Sequence, residues 1–377
     1  MFSSSAVQRV AVPIIHAALE VLCERLDNVC DKGDVIDMGL VFTVLAADVI
    51  SAYAFGDSFG LLAHPNFAPD WVAMVQAPSE LGHFVKQFPY LLPILRLFPK
   101  TLVSFIAPAI AMLFQHQDHN TNRLQQLINN RQQDSVHGND QQSCVFDALL
   151  KSNLPASEKH LPRLAGEAQI LVGAGTLTTG NVLKTLLFHL LDNPDYISRL
   201  QKELEQVQRN RNDMNKPRFH LHDLQALPFL AACIQEGLRL AYGVTHRLQL
   251  ISPDEDLPFR QWRIPAGTPV SMTSVFMHDD VNIFPEPRAF RPERWLRIDD
   301  SDRLSRHFVP FSKGTRMCLG MNLAYAELNL VLAAVLSRYE LVLVGVTRED
   351  IEMKHDFFDP SPKLDSKGLR VKLRRRN

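Results

Sequence analysis

The stretch that decides the reading is Phe311-Ser312-Lys313-Gly314-Thr315-Arg316-Met317-Cys318-Leu319-Gly320. Leu319 to Arg338 continues it as a proline-free helical pattern, so the Cys318 sulfur is expected at a helix N-terminus. The positive end of the helix dipole and Arg316, two residues earlier, both favour a thiolate there. Gly314 and Gly320 remove side-chain bulk on both sides, as close approach of a large flat ligand requires. Phe311 is expected to pack against the sulfur and keep water away. A lone free cysteine is usually a small buried hydrophobe. The full pattern Phe-x-x-Gly-x-Arg-x-Cys-x-Gly is different, since it arises by chance in on the order of one in ten thousand chains of this length.

The chain has 377 residues, 46% hydrophobic and 21% charged, with a formal net charge of −1. Such a chain can bury a sizeable core, and nothing in it points to nucleic acid or to disorder. Cys23, Cys30, Cys144, Cys233 and Cys318 are scattered, without zinc spacing or a paired framework, which suits a reducing compartment. Met38 to Phe55 comes nearest to a membrane span, but Asp48 interrupts it, and no transmembrane helix or signal peptide is expected.

Outward from the cysteine loop, Pro162 to Leu191 reads as one long helix. Gly173, Gly175 and Gly180 in its middle each cost about 1 kcal/mol against alanine. Either the helix opens there to admit a ligand, with a threonine hydroxyl aimed into the gap, or small residues let a second helix pack closely. A dinucleotide fingerprint fails, because Thr178 stands where the third glycine belongs and no strand precedes it. Pro228 to Leu240 is a further helix with Glu236 and Arg239 on one face. About one Glu-x-x-Arg is expected by chance in any such chain, so its order before Phe290-Arg291-Pro292-Glu293-Arg294-Trp295 is what gives it weight.

The remainder is read more coarsely. Helices are expected over Val7–Asn28 and Val35–Phe55, with Gly56 ending the second. Prolines between Asp57 and Ala109 should fragment any long helix there, and the apolar runs Phe88–Leu97 and Thr101–Phe114 are expected in the core. Asp134 to Asp140 is expected as a surface loop. Arg247–Ile251, Gln261–Ile264 and Pro269–Thr273 read as strands of one small sheet, and the basic tail Lys372–Arg376 as a solvated terminus.

The cysteine loop resembles the haem-binding loop of the cytochrome P-450 haem-thiolate monooxygenases, and the Glu236 helix and Arg294 segment resemble that family's in the same order. The resemblance covers about Met1 to Leu373 and implies a mainly α protein with small β-sheets (α+β). It implies a single domain over 1–377, helical over about 1–243 and 319–338, with a small β region at about 244–275 and the haem-binding loop at 311–320. Cys318 would be the axial thiolate on the iron of haem b. Arg316, and by position Arg247, would pair with haem propionates, although an exposed cation on a strand end is nearly as good a reading of Arg247. Phe311, Gly314, Gly320 and Gly175 would border the cofactor. Thr178, with Thr179 beside it, aligns with the threonine that helps deliver protons to dioxygen. The acid that usually precedes that threonine is Leu177 here, so the expected carboxylate of the relay is missing. Glu236, Arg239 and Arg294 would form a buried charge triad beneath the haem, with an architectural role.

The implied activity is insertion of one oxygen atom from O2 into a small apolar organic substrate, in the style of fungal secondary-metabolism members. Electrons would come from a separate NADPH-dependent flavoprotein reductase docking near Lys313 and Arg316. The protein would be intracellular; the family is usually anchored to the endoplasmic reticulum, and no anchor stands in this chain. The resemblance begins inside the family sequence, about a quarter of the way along. Two rivals follow: a haem-thiolate isomerase or dehydratase that does not use O2, and a non-catalytic truncated remnant.

Overall fold

A computed structural model describes residues 1–134, 144–209 and 219–376. Ser4–Lys32 form helix α1. A π-helical turn at Val7–Ala11 lies just before Pro13, which lacks the N–H that a regular turn would use. Gly33 ends the helix in the left-handed region at φ 69°, where glycine pays no Cβ penalty. The second expected helix starts late, because Val35–Asp37 is a strand, β1. It pairs antiparallel with the C-terminal strand Arg370–Arg375, Ile36 opposite Val371. Asp37 then caps α2, Met38–Phe55, by accepting from the Gly39 N–H at 2.9 Å.

The proline-rich region does not fragment as expected. Helix α3 runs unbroken over Pro69–Gln87 with Pro78 inside it, and α4 covers Pro108–Asp134. Only the segment between them breaks up, into Leu91–Leu95 and Lys100–Ile106. Nor do its apolar runs enter the core: Tyr90 is 79%, Leu97 84% and Phe105 86% exposed. Short helices joined by prolines bury a single stripe here, Leu95 and Val103 against Ile110. The loop expected at Asp134–Asp140 lies outside the described residues beyond Asp134.

Helix α5, Leu161–Leu191, is 31 residues long, with His160 accepting from the Arg163 N–H at its start and Pro162 in its first turn. It is α-helical throughout, so the glycines do not open it. They let α2 approach: a Cβ on Gly175 would meet Ile50 Cγ1 at 2.6 Å, and one on Gly180 would meet the Thr43 Cα at 2.9 Å. Because α2 is clasped by α5 and its neighbours on every side, nearly all of it is buried and its sequence is apolar all round. Helices α6, Pro194–Arg209, α7, Pro228–Leu240, and α8, Met321–Arg338, complete the packing around α5.

The strands are short and peripheral. The expected single sheet is two separate pairs, β2 (Leu248–Ile251) with β5 (Pro269–Met272), and β3 (Leu257–Phe259) with β4 (Trp262–Ile264). β6, Tyr339–Leu343, and β9, Arg370–Arg375, join β1 in the order β1-β9-β6, while β7, His355–Phe357, and β8, Asp359–Ser361, form a hairpin. By length and composition three helices could cross a membrane, against the sequence expectation, yet 83% of the Met38–Phe55 span is buried in protein.

Candidate active site

The loop before α8 turns out to be an exposed shelf. Ser312 (φ 59°) and Gly314 (φ 79°) both take left-handed backbone, followed by a 3-10 turn at Gly314–Arg316. The shelf closes where the Cys318 N–H donates to the Phe311 carbonyl at 2.9 Å. Phe311 therefore meets Cys318 through its backbone; its ring packs on Tyr325, centroids 5.3 Å apart. A Cβ on Gly314 would meet nothing within 4 Å, and one on Gly320 would lie 3.9 Å from Cys318 Sγ.

Cys318 is exposed as a residue. Its sulfur end is nonetheless sheltered enough that burial pushes the thiol pKa up, and the Gly320 N–H only partly offsets this. The expectation that position alone favours a thiolate is thus corrected: α8 starts at Met321, and Gly320, not Cys318, is its cap. Arg316 is exposed, as is Arg247 one residue before β2, and neither has a hydrogen-bond or ion-pair partner among the described residues. Lys313, by contrast, spends its ammonium on the carbonyls of Ser305 and Arg306.

Helix α5, packed against α8, carries an exposed stripe with small residues at its centre. Ile170 is 67% exposed, Ala174 is exposed, and a Cβ on Gly173 would meet nothing within 4 Å. Thr178 continues the stripe half-buried, its Oγ1 donating to the Ala174 carbonyl at 2.7 Å. Thr179 is only 5% exposed, on the side packed into the protein, so Thr178 alone of the pair borders the stripe. Gly175 also departs from expectation, since its open side faces Ile50 and not the stripe. Gly173 has the free space assigned to it.

The charge triad assembles. Glu236 and Arg239 are fully buried and pair at 2.8 Å, and Arg294 Nε reaches Glu236 Oε1 at 3.1 Å. Two further donors that sequence reasoning missed complete the carboxylate: Trp295 Nε1 at 2.9 Å and the Arg291 N–H at 3.0 Å. Arg239 also donates to the carbonyls of His278 and Ala289, so both ions are satisfied and the desolvation cost is largely offset. The aromatic ending Phe290-Arg291-Pro292-Glu293-Arg294-Trp295 was the available signal for the tryptophan contact.

Also missed was a polar group where α3, the loop after α7 and the β7–β8 hairpin meet. His83 and His246 rings stand 5.0 Å apart, and His83 Nε2 lies 2.9 Å from the Asp356 carbonyl oxygen. These donor atoms could gather a cation by distance, but Asp356 Oδ1 already accepts from Thr245 Oγ1 at 2.8 Å and the Phe358 N–H at 3.0 Å. Their bonds brace the hairpin turn. No sequence spacing marked them, because they come from segments more than 100 residues apart.

The described residues suit a large flat ligand with an anionic edge. They offer a sulfur donor, unpaired guanidinium groups at Arg316 and Arg247, glycine-cleared space, and exposed apolar surface at Met317 and Leu319. The cytochrome P-450 family profile matches residues 1–367. The chain belongs to the cytochrome P-450 family. It is similar to a tryptophan 6-hydroxylase of Fusarium equiseti, 54% identical over 377 residues, which are 100% of this chain and 72% of the relative. It is also 50% identical over 378 residues to an N-acetyltryptophan 6-hydroxylase of Emericella nidulans, covering 100% of this chain and 73% of the relative. A cytochrome P-450 monooxygenase of Ascocoryne sarcoides is 38% identical over 379 residues, 98% of this chain and 73% of that protein. Family membership brings the mainly α fold with small sheets. This P-450 is accordingly an oxidoreductase, a monooxygenase of the kind fungi use in secondary metabolism, acting with O2, an organic substrate and a redox partner. The hydroxylase names of its relatives favour that chemistry over the isomerase or dehydratase alternative.

Proposed function

We propose that this P-450 hydroxylates the six-membered ring of tryptophan or a close indole derivative, with Cys318 as axial ligand of haem b. The observation that carries the haem assignment is the exposed shelf that presents the Cys318 sulfur, the unpaired Arg316 and the space over Gly314 together. The indole assignment rests on relatives at 54% and 50% identity whose names state ring hydroxylation of tryptophan and N-acetyltryptophan. An indole amino acid is amphipathic, which narrows the apolar substrate expected from the sequence to one with a polar end.

When bound, the haem supplies dioxygen activation. This chain's residues do the rest. Arg316 and Arg247 hold the anionic edge of the cofactor, and the stripe Ile170, Gly173, Ala174 and Thr178 makes one wall of the site. Thr178 Oγ1 donates its one proton to the Ala174 carbonyl and keeps its lone pairs, so it would position a water by accepting from it, and that water would carry the protons that Leu177 does not supply. The net reaction takes substrate, O2, NADPH and a proton to hydroxylated product, water and NADP+. Electrons come from an NADPH-dependent flavoprotein reductase that docks on the exposed face of the cysteine loop. The exposed Tyr90, Leu97 and Phe105 favour a setting on an intracellular membrane surface.

The test is expression with a haem precursor, reduction under carbon monoxide, and the difference spectrum of wild type beside Cys318→Ser. A thiolate-type Soret band lost in the variant supports the ligand assignment. Incubation with tryptophan, NADPH and a reductase should then yield a singly ring-hydroxylated product. Haem bound without the thiolate band refutes the role of Cys318, and a product hydroxylated off the ring refutes the regiochemistry.

A further inference from the structure

The bonds that brace the β7–β8 turn use only part of what His83, His246 and Asp356 offer. On Asp356 they occupy Oδ1 alone, and Oδ2 has no hydrogen-bond or ion-pair partner among the described residues. The His246 ring makes no hydrogen bond among those residues either, so both its nitrogens are unspent. His83 places Nε2 against the Asp356 carbonyl oxygen at 2.9 Å. A neutral imidazole has one N–H and one lone pair, so the nitrogen that donates to a carbonyl leaves the other able to ligate. One ligand atom from each of the three residues lies within 4.8 Å of those from the other two, and His83 and Asp356 are open to solvent.

Two of the three residues sit on one rigid piece. The Thr245 N–H donates to the Phe358 carbonyl at 3.0 Å, its hydroxyl donates to Asp356, and its own carbonyl accepts from Thr273 Oγ1 at 2.7 Å. The Phe358 ring also stacks on His246, centroids 6.2 Å apart. His83 comes from a third element, α3, and its exposed side chain can turn. An ion with tetrahedral bonds of about 2.0–2.1 Å keeps its ligand atoms about 3.4 Å apart, so the cluster needs to contract by about 1.4 Å at most. Burial, and then the charge of Lys86, hold the His246 pKa below its ordinary value, which keeps that ring neutral and ligating at pH 7. Lys86 and Arg247 oppose an ion held by charge alone, such as Mg2+. Two imidazoles and one carboxylate instead suit a borderline ion that bonds to nitrogen, as Zn2+ does.

We infer that His83, His246 and Asp356 Oδ2 form a site for one Zn2+-class ion, separate from the cysteine loop, that fastens α3 to the β7–β8 hairpin. The ligands come from α3, the segment before β2 and the hairpin, so the ion joins three elements that are far apart in the chain. Thr245 and the Phe358 N–H, both on Oδ1, orient the carboxylate and leave Oδ2 for the ion, as partners of metal ligands commonly do. Three protein ligands leave the fourth tetrahedral position to a water. The inference is independent of the indole reading, since it needs neither haem nor substrate.

Calorimetric titration of the haem-loaded full chain, prepared without a histidine tag and stripped with a chelator, tests this with zinc chloride and with magnesium chloride. Wild type should bind one zinc ion with a Kd of about 10 μM or tighter, and magnesium at least about a hundredfold more weakly. His83→Ala, His246→Ala and Asp356→Asn should each weaken zinc about tenfold or more. Asp356→Asn keeps an Oδ1 acceptor for Thr245 and Phe358, so the turn stays braced while the second ligand oxygen is lost. His222→Ala, at an exposed histidine elsewhere, should leave the affinity unchanged. Zinc should also raise the unfolding temperature of wild type and of His222→Ala but not of the three ligand variants. Unfolding without metal shows that each variant keeps its fold. If zinc binds no tighter than magnesium, or if its affinity survives the three ligand substitutions, the site is refuted.

Discussion

Gly173 and Gly180 occupy the same helix and should respond to alanine in opposite directions. Each substitution gains about 1 kcal/mol of helix propensity. At Gly173 nothing lies within 4 Å of the added methyl, so that gain should appear almost whole. At Gly180 the methyl would sit 2.7 Å from Thr43 Oγ1, 2.9 Å from Thr43 Cα and 3.1 Å from Thr43 N. Two of those atoms are backbone, so rotating a side chain gives no relief and α2 must move away from α5. Overpacking costs about 1–3 kcal/mol, and rigid backbone on the receiving side places this case at the upper end or beyond. The net expectation for Gly180→Ala is a loss of about 2 kcal/mol, which puts the two variants about 3 kcal/mol apart. Gly175→Ala should fall between them, because it meets Ile50 side-chain atoms, the nearest at 2.6 Å, part of which can rotate aside. Urea unfolding followed by far-ultraviolet circular dichroism measures the series under one set of conditions. If Gly180→Ala proves as stable as Gly173→Ala, the close α2–α5 contact is refuted, and the helix-opening account of the glycines returns.

Other substitutions probe the remaining parts of the site. Glu236→Gln leaves Arg239 and Arg294 without their counter-charge in a buried position, and should cost about 3–5 kcal/mol in the same unfolding assay; a loss below about 1 kcal/mol would contradict the buried network. His189 stacks on Phe290 at 5.0 Å, and burial lowers its pKa from 6.5 to about 3, so the unfolded chain takes up the proton first and stability falls as pH drops from 6.5 toward 3. Between pH 6.5 and 5 this group should remove roughly 1.6 kcal/mol, and His189→Phe should reduce the pH-dependent loss by about that amount while the buried His278 and His116 keep the remainder, as parallel urea titrations at the two pH values would reveal. Arg316→Ala should loosen haem retention, measured by transfer of haem to an excess of apomyoglobin, about tenfold or more faster than wild type if the guanidinium holds a propionate; an unchanged rate removes Arg316 from that role.

The parts of this protein that could be read without coordinates were those carried by consecutive residues. The cysteine loop is one, and the α5 helix is another, expected from Pro162 and observed from Leu161. Helix α7 was bounded at Pro228 and Leu240 as expected, because proline at its first position and a regular apolar face leave few alternatives. The triad was reached through resemblance, since Glu-x-x-Arg has no meaning until a third residue from 55 positions later joins it. Local rules misjudged Pro78, where tertiary packing kept α3 intact, and Val35–Asp37, where pairing with a strand over 300 residues away outweighed helical propensity. They also misjudged the runs around Leu97 and Phe105, because apolarity indicates what would be buried if a partner surface existed, not whether one does.

Chemical identity was therefore determined along the chain: a cysteine among glycines before a helix, an arginine beside it, a threonine in the middle of a long helix. Which of those groups face a ligand was decided only in three dimensions. Thr178 and Thr179 are neighbours in sequence but 100° apart around α5, so one borders the open stripe and the other enters the core. Gly173 and Gly175 divide in the same way, one toward space and one toward Ile50. Asp359 was unremarkable as a letter; only folding gave one of its oxygens to Ser79 and buried the other without a partner among the described residues. Sequence specifies which groups are present, but desolvation and pairing depend on neighbours brought from far along the chain, and those neighbours set what each group does.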